Sequence, residues 1–371
     1  MRRLIEFLAG YRIPAQVAVR LYRVYGAQSL ERVQEDPYLL AQPQFGAGFG
    51  AADQLALELG FDGDDARRVE AGVIFELRHN LTNGHTFLPQ DKLVAATSQL
   101  LSLEAEPVIA AVDRLTELGR VEHSTIAGIA AVYLPEYYEA ETAIAARIRA
   151  MAQHPPAPLP DAERVLQGIE AIAGITYAER QRDAIRMAAE RRIMILTGGP
   201  GTGKTTVLSG ILTLFSKLGR KTLLAAPTGR AAKRLSELTG RDAATVHRLL
   251  EAQVSPENGE MFFARNEDEP LECDAVIVDE MSMVDVLLMH SLLEALPQEA
   301  CLGTTPLALG LSHRCAFGSD SGLGEPFLIL EPLLVLFHLF LWLPRILWLA
   351  HWPPLLCVWT SSSPCDLVLR A

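Results

Sequence analysis

Residues 198–203 read GGPGTG, and Lys204, Thr205 and Thr206 follow at once. Gly198, Gly203, Lys204 and Thr205 hold the fixed places of G-x-x-x-x-G-K-[ST], the pattern of a loop that cradles phosphate. Glycine is needed there because the backbone must turn tightly and point its N–H groups at phosphate oxygens. Gly198, Gly199, Pro200, Gly201, Thr202 and Gly203 form the cradle. Lys204 is then placed to reach the outer phosphates, and the Thr205 hydroxyl, with Thr206 beside it, suits a Mg²⁺ ion. Further along, AVIVDEMSMVD brings Asp279 and Glu280 to the end of an apolar run. The first carboxylate suits an outer contact to Mg²⁺, and the second can orient and deprotonate an attacking water. A phosphate loop followed by such a pair points to hydrolysis of a nucleoside triphosphate.

Three other stretches carry polar chemistry at suggestive places. AAPTGRAAKRLSELTG ends an apolar run in a turn, where Pro227, Thr228 and Arg230 could touch a nucleic-acid backbone and Lys233 and Arg234 add charge. Contacts of that kind supply affinity without reading sequence. The same residues also suit an exposed basic helix. Gln181, just before the phosphate loop's strand, has an amide able to pair with both edges of adenine. Thr245 and His247, in ATVHRLL, have no role assignable from chemistry alone. Near the N-terminus, FGAGFG places Gly46 and Gly48 between two short helical runs, as in a helix-hairpin-helix whose turn amides approach a DNA phosphate. A glycine-rich connector in a helical bundle fits that pattern equally.

The elements that must position these residues change character along the chain. Residues 1–86 read as helical with glycine punctuation: Leu4, Phe7 and Leu8, then Val17, Leu21 and Val24, recur at helical spacing. Residues 87–150 read as two amphipathic helices followed by a hairpin, RVEHS and IAAVYLPEYY, a small winged-helix-like module. Residues 151–164, rich in proline, read as a linker. Residues 165–300 alternate buried-strand runs (RRIMILTG, KTLLAAP, CDAVIVDE) with helical stretches, the signature of an α/β domain with a parallel sheet covered on both faces. Ligands bind such sheets at the carboxyl ends of strands, where each of these runs meets a polar motif.

The last segment, 301–371, differs from everything before it. It holds all four tryptophans, four of the five cysteines, 19 leucines and no lysine. This composition predicts an irregular, aberrant apolar tail, not a native domain, as a shifted reading frame, a misassembled gene model or a decayed copy would give. Its run FLILEPLLVLFHLFLWLPRILWLAHW raises a membrane anchor as an alternative. However, Glu331, Pro332, His338, Pro344 and Arg345 interrupt the ~20 apolar residues a spanning helix needs. No membrane partner is therefore expected. The opening MRRLIEFLAGYRIPAQ has too short an apolar stretch for a secretory signal, and the cysteines lack metal-ligand spacing. A reducing, cytoplasmic compartment is the default. The net charge of −12 argues against a generally basic nucleic-acid coat but not against a local basic groove.

Taken together, AERQRDAI, LTGGPGTGKTT, AAPTGRAAKRL, ATVHRLL and AVIVDEMSMVD resemble, in order and spacing, the first motor domain of superfamily 1 DNA helicases of the RecD-like branch. GYRIPAQVAVRLYRVYG, PYLL, FGAGFGAADQLA and NGHTFLP resemble the helix-hairpin-helix region of the longer members, so the resemblance covers roughly residues 1–297. It implies a RecA-like P-loop domain and a 5′→3′ translocase on single-stranded DNA, serving recombination or repair and driven by ATP and Mg²⁺. It also implies Gln181 on adenine, Lys204 on phosphates, Thr205 and Asp279 at Mg²⁺, Glu280 as catalytic base, and Pro227, Thr228 and Arg230 at the DNA. The partner implied is single-stranded DNA, or a duplex with a 5′ overhang. Two departures stand out. Longer members carry a further domain ahead of the equivalent of Met1. After Pro297 a member would continue into a strand, a GDxxQLP motif and a second motor domain, where this chain has QEACLGTTPLALGL. A nonenzymatic DNA- and nucleotide-binding fragment is accordingly the alternative to an incomplete helicase, and a membrane-anchored P-loop ATPase is a third reading.

Overall fold

The computed structural model describes residues 1–126, 128–197, 203–255 and 261–305, together with the backbone of Cys357–Trp359. The chain divides into two compact units, Met1–Glu139 and Ala140–Ala371.

The first unit opens with helices α1 (Arg2–Gly10), α2 (Ala15–Tyr25) and α3 (Ser29–Glu35). The expected periodicity buries Leu4, Leu8, Val17 and Leu21, whereas Val24, in the last turn of α2, stays exposed. Gly26 then takes φ +56° and turns the chain away. The run before the FGAGFG turn is a 3₁₀ helix, Pro37–Ala41, and not an α-helix. Asp36 caps it by accepting from the Tyr38 N–H at 3.1 Å, with Pro37 filling the first position. The turn leads into α4 (Phe49–Glu58), and α5 (Ala66–Leu81) follows.

Strand β1 (Phe87–Pro89), helices α6 (Gln90–Leu101) and α7 (Ala105–Glu117), and strands β2 (Glu122–Ile126) and β3 (Ile129–Tyr133) complete this unit. The hairpin expected from the sequence is β2–β3, paired antiparallel from Glu122↔Tyr133 to Ile126↔Ile129. The sequence did not predict β1, which adds to the far side of β3 through Phe87↔Tyr133. One apolar core runs from Leu4 and Leu21 through Leu55 and Val73 to Leu93, Val112 and Leu134. Packing therefore does not separate residues 1–86 from 87–139. The division falls inside α8 (Pro135–Gln153), ahead of the proline-rich 151–164.

The second unit has α9 (Ala162–Ala173) and α10 (Glu179–Glu190) before the first strand of its sheet, β4 (Ile193–Leu196). Helix α11 (Lys204–Lys217), strand β5 (Thr222–Ala226), helix α12 (Gly229–Thr239), strand β6 (Ala243–Thr245) and helix α13 (Val246–Leu249) follow. A short antiparallel hairpin, β7 (Ala252–Val254) and β8 (Met261–Phe263), precedes β9 (Ala275–Val278), α14 (Val286–Ala295), β10 (Cys301–Thr304) and β11 (Cys357–Trp359). The main sheet is parallel, in the order β11-β4-β10-β9-β5-β6.

All four residues of β4 and all four of β9 are buried. Met194, Leu196 and Ile277 join α9, α10 and α11 in one core, while Ile193, Ile195, Val276 and Val278 alternate to the opposite face. Burial on both sides is why these strands read as unbroken apolar runs.

Strand β10 lies just past the expected boundary at residue 300. Cys301–Thr304, assigned from composition to an irregular tail, lie between β4 and β9 in the centre of the sheet. The segment leading into β10 is also well tied. Arg147 donates to the Leu296 and Pro297 carbonyls, both at 2.9 Å, and Arg192 donates to the Gln298 carbonyl at 2.7 Å. The backbone of β11 pairs with β4 from Cys357↔Met194 to Trp359↔Leu196. What else the sequence leads one to expect of the tail, including the membrane-anchor alternative, falls on 306–356 and 360–371, outside the described residues. Among the described residues no helix is long and apolar enough to cross a membrane.

Candidate active site

Because the sheet is parallel, its strand ends form one edge. Thr304 stands beside Ile195 and Val278, and Ala226 beside Thr245. Two polar groups of residues gather there, one where β4, β10 and β9 end and one where β5 and β6 end.

The first group begins with the phosphate loop. Residues 198–202 lie outside the described set, so the cradle is represented by its last member. Gly203 has φ +84° and ψ 21° and caps α11, whose first residue is Lys204. The left-handed backbone favours glycine at Gly203, and a Cβ there would sit 2.6 Å from the Gln181 Nε2 and displace that amide. The start of α11 presents backbone N–H groups with no intrahelical acceptor, a feature that favours phosphate. Thr205 is exposed and Lys204 half-buried in this first turn. Burial lowers the Lys204 amine below the usual lysine value, and the negative charge of Asp279 opposes that shift. The lysine and the acidic strand end thus share one electrostatic environment.

At the end of β9, the Asp279 N–H donates to the Ala225 carbonyl of β5 at 2.9 Å. Its Oδ1 accepts from the Glu280 N–H at 3.0 Å and from the Thr305 hydroxyl. Glu280 adopts φ 55° and ψ 39°, a left-handed conformation uncommon for a residue with a Cβ. The chain continues into a 3₁₀ turn, Met281–Met283, and Asp285 caps α14 by accepting from the Leu288 N–H at 2.8 Å. One carboxylate beside a lysine and a helix-start threonine is a donor set that fits Mg²⁺, which takes one or two carboxylates and completes its shell with water and phosphate oxygens.

Gln181 sits at the third position of α10, against Gly203, but its Oε1 already accepts from the Ala178 N–H at 3.1 Å. An amide oxygen has two lone pairs, so one acceptor direction remains for a base.

The second group sits at the ends of β5 and β6. Thr228 caps α12 by accepting from the Ala231 N–H at 3.2 Å, which leaves its hydroxyl hydrogen to donate. Pro227 is half-buried ahead of it, and Arg230, Lys233 and Arg234 are exposed along the first turns of α12. Lys233 lies 4.0 Å from Glu237 on the same helix. Thr245, roleless in the sequence, caps α13, and the His247 ring lies 5.8 Å from that of Phe263 on β8.

Gly46 and Gly48 belong to the first unit and take φ +72° and +81°. The Gly46 N–H donates to the Gln42 carbonyl at 3.0 Å, which ties this turn amide to the protein's own backbone. Arg20 donates to the Phe45 carbonyl at 3.2 Å, and its Nη1 would meet a Cβ on Gly46 at 2.8 Å.

Sequence reasoning missed Thr305. The signal was present as CLGTT, a short apolar run ending in two polar residues, but the shift in composition around it obscured that run.

A parallel sheet whose first strand runs into a glycine-rich sequence, with an acidic pair after β9, defines a P-loop fold of the RecA-like class. Comparison with known proteins agrees. A family model described as an AAA domain matches residues 181–304, and one described as the ATP-dependent RecD2 DNA helicase HHH domain matches residues 1–87. The ATP-dependent RecD2 DNA helicase of Deinococcus radiodurans is 35% identical over 309 residues, covering 81% of this chain and 42% of that protein. The RecBCD enzyme subunit RecD of Mycolicibacterium smegmatis is 35% identical over 188 residues, 44% of this chain and 32% of the relative. The ATP-dependent DNA helicase dda of phage T4 is 38% identical over 111 residues, 29% of this chain and 25% of the relative. Over the residues matched, the chain is similar to RecD-like helicases, including the branch that carries an N-terminal helix-hairpin-helix region. It spans less than half the length of these relatives.

Proposed function

We propose that residues 140–305 are the nucleotide-binding motor domain of an ATP-dependent, 5′→3′ DNA helicase, and that residues 1–139 contribute to DNA engagement. The observation that carries this reading is the convergence of Gly203, Lys204, Asp279 and Glu280 at one edge of the parallel sheet, on a chain related to RecD2 and RecD proteins. Lys204 holds the outer phosphates and the N–H groups at the start of α11 receive their oxygens. Thr205 and Asp279 would hold Mg²⁺, which when bound neutralises charge on the β- and γ-phosphates. Glu280 orients the attacking water and accepts its proton. Gln181, with one acceptor direction and its amide hydrogens, contacts the adenine. Pro227, Thr228 and Arg230 face the backbone of single-stranded DNA, and a duplex with a 5′ overhang is the substrate this polarity requires. A role in recombination or repair is part of this reading, as the sequence resemblance implies.

Calorimetric titration tests the base of this reading. Mg·ATP binds the wild-type chain, and Lys204→Ala weakens that binding by about 10- to 100-fold, the worth of one charge-assisted hydrogen bond. Equal affinities would remove the phosphate assignment, and with it the helicase reading of this unit.

A further inference from the structure

We propose that Thr305 is a positioning residue for the acidic pair: it fixes Asp279 through one carboxylate oxygen and sets the backbone turn that aims Glu280. The inference rests on the nucleotide site proposed above and assigns a function to a residue beyond the expected end of the domain.

The backbone makes the first part of the case. Thr305 N–H donates to the Val278 carbonyl at 3.0 Å, and the Thr305 carbonyl accepts from the Met281 N–H at 3.0 Å. In a regular parallel ladder, one residue bridges the two neighbours of a single opposite residue. Here two residues, Asp279 and Glu280, fit between the bridged positions. This is a β-bulge, a device that bends a strand end and re-aims its side chains. The extra residue is accommodated by the left-handed conformation of Glu280. The bulge cannot relax toward the other neighbour, because Asp279 N–H is held by the Ala225 carbonyl of β5 at 2.9 Å.

The side chain makes the second part. Thr305 is only 5% exposed, and its hydroxyl donates to Asp279 Oδ1, which also accepts from the Glu280 N–H. Two donors on Oδ1 fix the carboxylate rotamer and leave Oδ2 as the oxygen for a metal ion. Partners that orient a ligating carboxylate typically change metal affinity by about 10- to 100-fold when removed. Valine keeps the shape of threonine and its backbone bonds but cannot donate. Serine keeps the donor.

The test uses the full 371-residue chain and a fluorescent ATP analogue, titrated with Mg²⁺ and again with EDTA. The readout is the factor by which Mg²⁺ tightens binding. In Thr305→Val this factor falls by about tenfold or more while the affinity in EDTA is unchanged, and Thr305→Ser restores it. Thr305→Ala repeats the test should the valine variant lose its cooperative thermal transition. In an Asp279→Asn background, Thr305→Val has no further effect, because the group it orients is gone. A valine or alanine variant that keeps the wild-type Mg²⁺ factor overturns the inference and leaves the nucleotide site standing. Absence of Mg²⁺-sensitive binding in the wild type overturns the nucleotide site itself, and this inference with it.

Discussion

At the scale of single residues, Glu280 carries a conformational cost that its chemistry explains. A left-handed backbone with a Cβ costs about 1–2 kcal/mol, and Glu280 holds φ 55° where the function proposed above places the attacking water. Glycine would adopt this conformation freely, so its absence there is the cost of placing a carboxylate. Glu280→Gly is therefore expected to be more stable than Glu280→Ala by about 1 kcal/mol in urea unfolding, although both variants lose the same carboxylate. Equal stabilities would show that the bulge opposite Thr305 does not strain the chain. The candidate site could be proposed from the sequence because side-chain identity and spacing alone single out Gly203, Lys204, Asp279 and Glu280. Its fine positioning could not. The clamp on Asp279 comes from a residue 26 positions away, and no local pattern records a contact at that separation. Nor does a sequence show that the Gly46 amide and the Gln181 carbonyl are already engaged, since both are satisfied by backbone groups that any residue carries.

At the scale of elements, the strands that could be read are those buried on both faces. IMIL in β4 and AVIV in β9 are continuous apolar runs because each pleat direction meets a packed layer. Strands β1 and β6 have only three residues each, all half-buried, and give no such run. In the first unit, the two helices following the FGAGFG turn are joined by a polar network that periodicity cannot reveal. Arg68 on α5 forks onto Asp53 of α4 with bonds of 2.8 and 3.1 Å and also donates to the Gly63 carbonyl at 2.6 Å. The Tyr38 hydroxyl of the 3₁₀ helix donates to the same carboxylate at 2.8 Å. Burial and this carboxylate together push the Tyr38 phenol well above its usual value, so it remains a donor at any physiological pH. With side chains only 10% and 16% exposed, Arg68 and Asp53 are screened little by water. Removing one partner leaves the other charge without compensation. Asp53→Ala is expected to cost about 3 kcal/mol in equilibrium unfolding. A loss below about 1 kcal/mol would show that solvent reaches Arg68 and that the network only decorates the α4–α5 pair.

At the scale of the whole molecule, a net charge of −12 sets the terms on which DNA can be held. A polyanion approaching this chain meets overall repulsion, so affinity must come from a few local cations whose contacts release counterions. In the motor unit, the cations proposed for this work are Arg230, Lys233 and Arg234, exposed on α12 where β5 ends. Lys233 is held only loosely, since Glu237 lies 4.0 Å from it in a surface pair worth little in salt. For single strands, each phosphate contact contributes about −0.7 to the slope of log affinity against log salt. Replacing all three residues with alanine is therefore expected to make that slope shallower by about 2, measured by fluorescence anisotropy with a labelled oligonucleotide across a salt series. Phosphate contacts carry no sequence information, so the change should be the same for oligonucleotides of different sequence. Calorimetry of Mg·ATP on the same variant serves as the control, because β5, which the three side chains follow, is separated by β9 and β10 from β4, the strand that precedes Gly203 and Lys204. An unchanged salt slope, with nucleotide binding intact, would remove α12 from the DNA path and shift the search for the nucleic-acid surface to Arg2, Arg3, Arg12 and Arg23, all exposed on the first two helices and the turn between them.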